Sequence, residues 1–172
     1  MASEQAVILV VDDEPGIREG CRRALAPEGY RILLADSSEA AMVLLADTPA
    51  DVVLLDIMMP GMNGMEALYR IKETDPNIVV IIITGYATVE LAIQAIKRGA
   101  YDFLSKPFDA ATLQLAVEQG LERKRLSIEA QRAKAMDREA ERLEREKAEL
   151  ARVNQIKSQF TLLVAHELRA PV

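Results

Sequence analysis

Three carboxylates, a lysine and two hydroxyls stand directly after short apolar runs: Asp12 and Asp13, then Asp56, then Thr84, then Ser105 with Lys106 and Pro107. Carboxylates brought together repel one another unless a cation lies among them. An all-oxygen set suits a hard ion such as Mg2+, which keeps several waters and takes one or more carboxylates. A carboxylate beside Mg2+ can attack a phosphoryl group, because the metal screens the repulsion, while a lysine and a hydroxyl hold the transferred oxygens. Asp56, Lys106 and Thr84 supply that set. Singly, each has an ordinary reading: an Asp at a strand end caps a helix or makes a turn, Lys-Pro is a loop, and Thr84 could cap a helix beginning near Thr88. Together, after successive apolar runs, they favour a site.

The elements that must position these residues are legible. Residues 6–11, 31–35, 52–55, 78–83 and 101–104 are short, apolar and often β-branched, and each reads as a strand. Between them lie stretches of helical spacing, such as Ile17, Cys21, Ala24 and Leu25, or Val89, Ala92, Ile93 and Ile96. Near-continuous apolar strands alternating with helices predict an α/β fold, a doubly wound five-stranded parallel sheet covered on both faces. In such a sheet the ligand site lies at the carboxyl ends of the strands, where all the residues above converge. Tyr101 reads at this level as a half-buried strand aromatic.

Charge divides the chain. Residues 1–120 carry 9 Lys and Arg against 18 Asp and Glu, whereas residues 121–172 carry 12 against 9. The first part holds all 8 Gly and all Pro but Pro171, which predicts a packed domain over 1–120 followed by something extended. The single cysteine excludes a disulfide framework and a multi-cysteine zinc site. No apolar run approaches the roughly 18 residues of a membrane span, and the first residues lack the basic region of a signal peptide. A cytoplasmic protein without membrane insertion is expected.

The segments VVDDEP, LLDIMMPGMNG and IIITGYATVELAIQAIKRGAYDFLSKPF closely resemble the receiver domain of two-component response regulators, over roughly residues 5–125. The resemblance implies a flavodoxin-like fold with Asp56 as phosphoacceptor, fed by an upstream phosphohistidine donor. It implies that Asp12, Asp13, Asp56 and the main-chain carbonyl of Met58 hold Mg2+, and that Thr84 and Lys106 contact the phosphoryl group. It further implies a cis peptide before Pro107. In that family the threonine moves toward the phosphoryl group and the aromatic at Tyr101 turns inward, altering the face made by the fourth helix, fifth strand and fifth helix.

Residues 110–170 contain one Gly, Gly120, and no Pro, so a helix can run through most of them; residues 121–165 alone would extend about 65 Å. Leu126, Ala133 and Ala140 at one heptad position, with Met136, Leu143 and Leu150 at the other, form a weak seam. Val153, Ile156, Phe160 and Leu163 restart it in a shifted register. A parallel dimeric coiled coil over 121–155 is expected. The competing reading is a solvated single helix supported by Glu/Arg pairs. A basic zipper is disfavoured, since acidic residues interrupt the arginines, and no compact helix-turn-helix follows, so no nucleic-acid partner is expected.

The terminal segment KSQFTLLVAHELRAPV, within 156–172, resembles the phosphoacceptor-helix box of sensor histidine kinases. That resemblance makes His166 a phosphorylatable histidine and Glu167 the base that orients it, with Pro171 bending the helix beyond. Ala170 stands where many relatives carry Thr or Asn, so the resemblance does not extend to phosphatase activity. Taken with the end at Val172, before any ATP-binding domain, the segment reads as a piece of a receiver-linked histidine kinase whose ATP-binding domain belongs to the parent protein. The expected function is phosphorelay signalling, in which Mg2+-dependent phosphorylation of Asp56 acts through the coiled coil on the segment bearing His166. The alternatives are a receiver adaptor that recruits a partner through its coiled coil, and a phosphohydrolase. The last is disfavoured because Met58 stands where such enzymes carry a second acid.

Overall fold

In the computed structural model, which describes residues 4–169, β-branched and leucine-rich runs form five strands with helices between them. The strands are β1 (Val7–Val11), β2 (Arg31–Ala35), β3 (Val52–Asp56), β4 (Val79–Thr84) and β5 (Asp102–Ser105). The helices are α1 (Pro15–Leu25), α2 (Ser38–Asp47), α3 (Gly64–Thr74), α4 (Val89–Lys97) and α5 (Ala110–Arg169), with a short 3-10 turn over Ala26–Glu28. Every strand pairing is parallel, in the order β2-β1-β3-β4-β5.

The strand limits differ from the expected ones by one residue at several ends: β3, β4 and β5 extend to include Asp56, Thr84 and Ser105. Parallel pairing explains the difference, because Asp56 lies opposite Ile83 and Thr84 opposite Ser105, so ladder bonds carry polar residues into the strands. Thr84 is therefore a strand terminus rather than a cap. The cap of α4 is Thr88, whose hydroxyl accepts from the Leu91 N–H at 3.2 Å. Ser37 and Asn63 cap α2 and α3 in the same way.

Alternation along the strands divides the core in two. Leu9, Val11, Val53, Leu55, Val80 and Ile82 pack on one face with Ala41, Leu68 and Ile71 from α2 and α3. Ile8, Val10, Leu54, Ile81 and Ile83 pack on the other with Cys21 and Leu25 from α1 and Leu113 and Val117 from α5. Burying a side chain of this size stabilises by about 1.5–3 kcal/mol, and twelve of the largest are almost wholly enclosed. Burial pushes the Cys21 thiol up to about 11, with the Asp12 charge adding to it, so this cysteine is an inert core residue.

The chain divides into two compact units, the first ending at Ile128 and the second beginning at Glu129. Among the described residues the second is helix alone. Its apolar residues Met136, Leu143, Leu150, Val153, Ile156, Phe160 and Leu163 are exposed. Arg142 pairs with Glu139 at 2.6 Å and with Glu146 at 3.2 Å on its outer surface. His166 and Glu167 lie in this helix and are exposed; Ala170 and Pro171 fall outside the described residues. Among the described residues no helix is long and apolar enough to cross a membrane.

Candidate functional site

The strand order reverses between β1 and β3, since the chain leaves β1 for β2 and returns to the other side. A crevice opens at such a point beyond the carboxyl ends of the strands. Asp12 and Asp13 follow β1 there, and Asp56 ends β3 beside them. Carboxylate oxygens of all three lie within 4.8 Å of one another. Asp12 and Asp56 are buried and Asp13 is exposed, so the cluster is open on one side.

Lys106 reaches the cluster from the end of β5. Its Nζ lies 2.6 Å from Asp12 Oδ2, 3.0 Å from Asp56 Oδ2 and 3.1 Å from Glu14 Oε1. Burial works against this ammonium, but its pairing with the three carboxylates outweighs it and holds its pKa above the ordinary lysine value. Asp12 shows the opposite balance. Burial lifts its carboxyl above the usual range, and repulsion from Asp56 adds to this, although Lys106 and the Glu14 N–H oppose it.

The 2.6 Å contact between Lys106 and Asp12 Oδ2 is an ion pair without hydrogen-bond alignment, and this buried oxygen has no hydrogen-bond partner. A buried carboxylate oxygen with an open lone pair, beside two further carboxylates, fits a small hard cation. Asp12, Asp13 and Asp56 are the side chains that could hold Mg2+.

Local geometry fixes each group. The Asp12 Oδ1 accepts from the Glu14 N–H at 2.9 Å, and the Asp12 carbonyl accepts from Arg18 at 2.7 Å. The Asp56 Oδ1 accepts from the Met58 N–H at 2.9 Å, which turns the chain after β3 and sets Met58 beside the acidic cluster. Thr84 is wholly buried, and its Oγ1 accepts from the Tyr86 N–H at 3.2 Å. The Lys106 N–H donates to the Thr84 carbonyl at 2.8 Å, tying the ends of β4 and β5 together. The Lys106–Pro107 bond is cis. Tyr101 lies away from this edge, ahead of β5, 36% exposed, with ring carbon Cδ1 3.8 Å from where a Cβ on Gly120 would stand.

Asp12, Asp13, Asp56 and Lys106 are thus brought into one cluster. Thr84 ends the adjoining strand, and His166 and Glu167 belong to the second unit. Three contributors were not singled out by type or spacing. Glu14 and Arg18 lie within five residues of Asp13, and their proximity in sequence was the available signal. Gly64 closes the segment LLDIMMPGMNG, but no role was assigned to it: a Cβ there would collide with Ile57 Cα and lie 2.9 Å from the Asp56 carbonyl oxygen, so only glycine lets α3 start against the end of β3.

Comparison with known proteins agrees with this geometry. The family model for the response regulator receiver domain matches residues 8–118. The regulatory protein AtoC of Escherichia coli (strain K12) is 41% identical over 115 residues, covering 67% of this chain and 25% of that protein. The nitrogen assimilation regulatory protein NtrX of Azorhizobium caulinodans is 39% identical over 131 residues, covering 75% of this chain and 29% of that protein. The chain thus spans between a quarter and a third of the length of these relatives. Among solved structures, the receiver domain of NtrX from Brucella abortus matches with a TM-score of 0.64 at 40% identity, covering 67% of this chain and 98% of that one. The signal receiver domain of an HD domain-containing protein from Pseudomonas fluorescens Pf-5 matches with a TM-score of 0.70 at 32% identity, covering 75% and 96%. These relatives are response regulators, and the segment around His166 lies beyond the family match. Over its first unit, this chain belongs to the response regulator receiver family.

Proposed function

We propose that Asp56 is the phosphoacceptor of a cytoplasmic signalling protein, and that its phosphorylation controls the helix beyond Glu129. One observation carries this reading: a buried aspartate at a strand end, 3.0 Å from a lysine and beside two further aspartates. An Asp56 carboxylate oxygen would bond to the phosphorus of a phosphohistidine donor as the phosphorus–nitrogen bond breaks and the imidazole leaves with the electron pair. Mg2+, held by Asp12, Asp13 and Asp56 with the Met58 carbonyl, would supply positive charge against the transferring oxygens. Lys106 is placed to neutralise one phosphoryl oxygen once its contact with Asp56 loosens, and Thr84 Oγ1 to donate to another. Tyr101 would answer the movement of Thr84 on the α4–β5–α5 face.

In the output segment, a second chain would cover the exposed seam from Met136 to Leu163 in a parallel coiled coil. His166 would be the phosphorylatable histidine of a kinase segment, Glu167 its orienting base, with the ATP-binding domain in the parent protein. This part rests on the HELRAP motif and on the unpartnered apolar seam. The alternative is an adaptor that recruits a partner through the same coiled coil without phosphorylation of His166, whereas the Glu139–Arg142–Glu146 pairs favour a solvated single helix.

Intact mass after incubation with acetyl phosphate and Mg2+ tests the receiver reading. One phosphoryl adduct that vanishes in Asp56→Asn and on chelation is expected; a folded, Mg2+-binding protein with no adduct would overturn it. His166→Gln separates the output readings, because a kinase segment loses signalling in the parent protein and an adaptor keeps it.

A further inference from the structure

Asp51 precedes β3 at the end of the sheet opposite the acidic cluster, and all of its polar groups are engaged. Its N–H donates to the Val7 carbonyl at 2.8 Å, and its carbonyl accepts from the Val79 N–H at 3.1 Å. One carboxylate oxygen accepts from the Val7 N–H at 2.8 Å, and the other from Lys124 Nζ at 2.7 Å. One residue therefore knits β1, β3 and β4 and offers its remaining oxygen to α5. Lys124 lies past residue 118, where the family match ends.

The Lys124 side chain stands between two open cavities, of about 840 Å³ and about 380 Å³, so the ion pair is a strut across a poorly filled gap. Nearby apolar anchoring comes from half-buried Leu121 and from Gly120, where an added Cβ would stand 3.0 Å from a Val79 methyl carbon. The two charged side chains are 16% and 33% exposed, so the pair is partly shielded from water and held in a charge-assisted hydrogen bond. Of the three strands that meet at Asp51, β1 leads into Asp12, β3 ends in Asp56 and β4 ends in Thr84.

We propose that Asp51 and Lys124 form a clasp that positions the first turns of the α5 extension against the sheet, so that a change within the receiver reaches the helix beyond Glu129 instead of dissipating by fraying after Gly120. Both are positioning residues. The clasp itself is independent of the proposed function, while its role in coupling rests on that reading.

Hydrogen exchange over residues 119–128 in the full chain, with a double-mutant cycle on Lys124→Met and Asp51→Asn, tests the clasp without phosphorylation. Asparagine retains an acceptor for the Val7 N–H and removes the charge. Each single variant is expected to speed exchange there by about tenfold, the double variant to add little, and Lys124→Arg to restore much of the protection. Unchanged exchange in Lys124→Met, or strictly additive effects, would overturn the clasp. Coupling is read on the same proteins after acetyl phosphate treatment. Lys124→Met should form the Asp56 adduct at the wild-type rate yet lose the change in oligomeric mass or in exchange over residues 136–163 that phosphorylation causes in wild type. A retained change would overturn the coupling role, as would an adduct in wild type with no change to lose. Absence of an adduct in wild type would count against the receiver reading and leave the exchange cycle to judge the clasp.

Discussion

Lys106 Nζ stands 3.0 Å from Asp56 Oδ2, although 50 residues of chain separate the two. The lysine holds the acceptor while neutralising it, together with Asp12, on a side chain that is only 11% exposed. A cation here answers the repulsion that would otherwise destabilise the folded receiver.

Removing that cation leaves buried carboxylates unpaired. Lys106→Met, which keeps the aliphatic stem, should lower stability by about 3 kcal/mol in the absence of divalent cations. Saturating Mg2+ should restore most of the loss by adding charge to the same carboxylates. Urea unfolding with and without Mg2+ measures both effects, and adduct formation in the variant should fall by about a hundredfold or more.

Asp12 predicts a pH dependence of the opposite sign to that of an ordinary salt-bridged carboxylate. Its folded pKa is raised above the usual 3.8, so the native state holds its proton more tightly than the unfolded chain. Its contribution is therefore fully present below the unfolded pKa and is lost as pH rises through the folded one. Asp12→Asn should be more stable than wild type at neutral pH, with the difference shrinking as pH falls toward 4. Denaturation midpoints of the two proteins across that range give the answer, and the variant should bind Mg2+ weakly.

Gly64→Ala should cost about 1–3 kcal/mol, because the new Cβ would meet the Ile57 backbone and the Asp56 carbonyl rather than a movable side-chain tip. The strain falls on the acceptor, so the rate of adduct formation should drop further than the loss of stability explains. Comparing the rate with the fraction folded separates the two.

Leu150→Asp tests the seam. Leu150 is 63% exposed in the single chain, and a charge there costs the receiver nothing while it disfavours a coiled-coil core. Sedimentation should show loss of the dimer, with acetyl phosphate labelling of Asp56 unchanged. An unaltered sedimentation profile would favour the solvated helix.

Much of the receiver could be read from residue order. Alternation of apolar strands with helical spacing fixes a parallel α/β sheet, and the strand-end rule sends Asp12, Asp13, Asp56, Thr84 and Lys106 to one edge whatever the details of packing. Strand ends shifted by a residue because ladder bonds, which depend on the neighbouring strand, decide where pairing stops. Gly64 and Glu14 fall inside the quoted motifs, yet their roles were not legible there, because those roles lie in contacts made only on folding. In the helical extension, local spacing could propose a seam but not its partner, since an apolar stripe on a charged helix suits both a second copy and a lone solvated rod.

The sequence by itself determined the fold class and the edge on which the chemistry gathers, because both follow from periodicity and chain direction, which are local. Tertiary structure alone decided that Lys106 pairs with Asp12, Glu14 and Asp56 together, that one Asp12 oxygen is left open, and that Asp51 joins three strands to Lys124. Those relations span up to 92 residues, and their energies depend on burial and distance, quantities that exist only once the chain has packed.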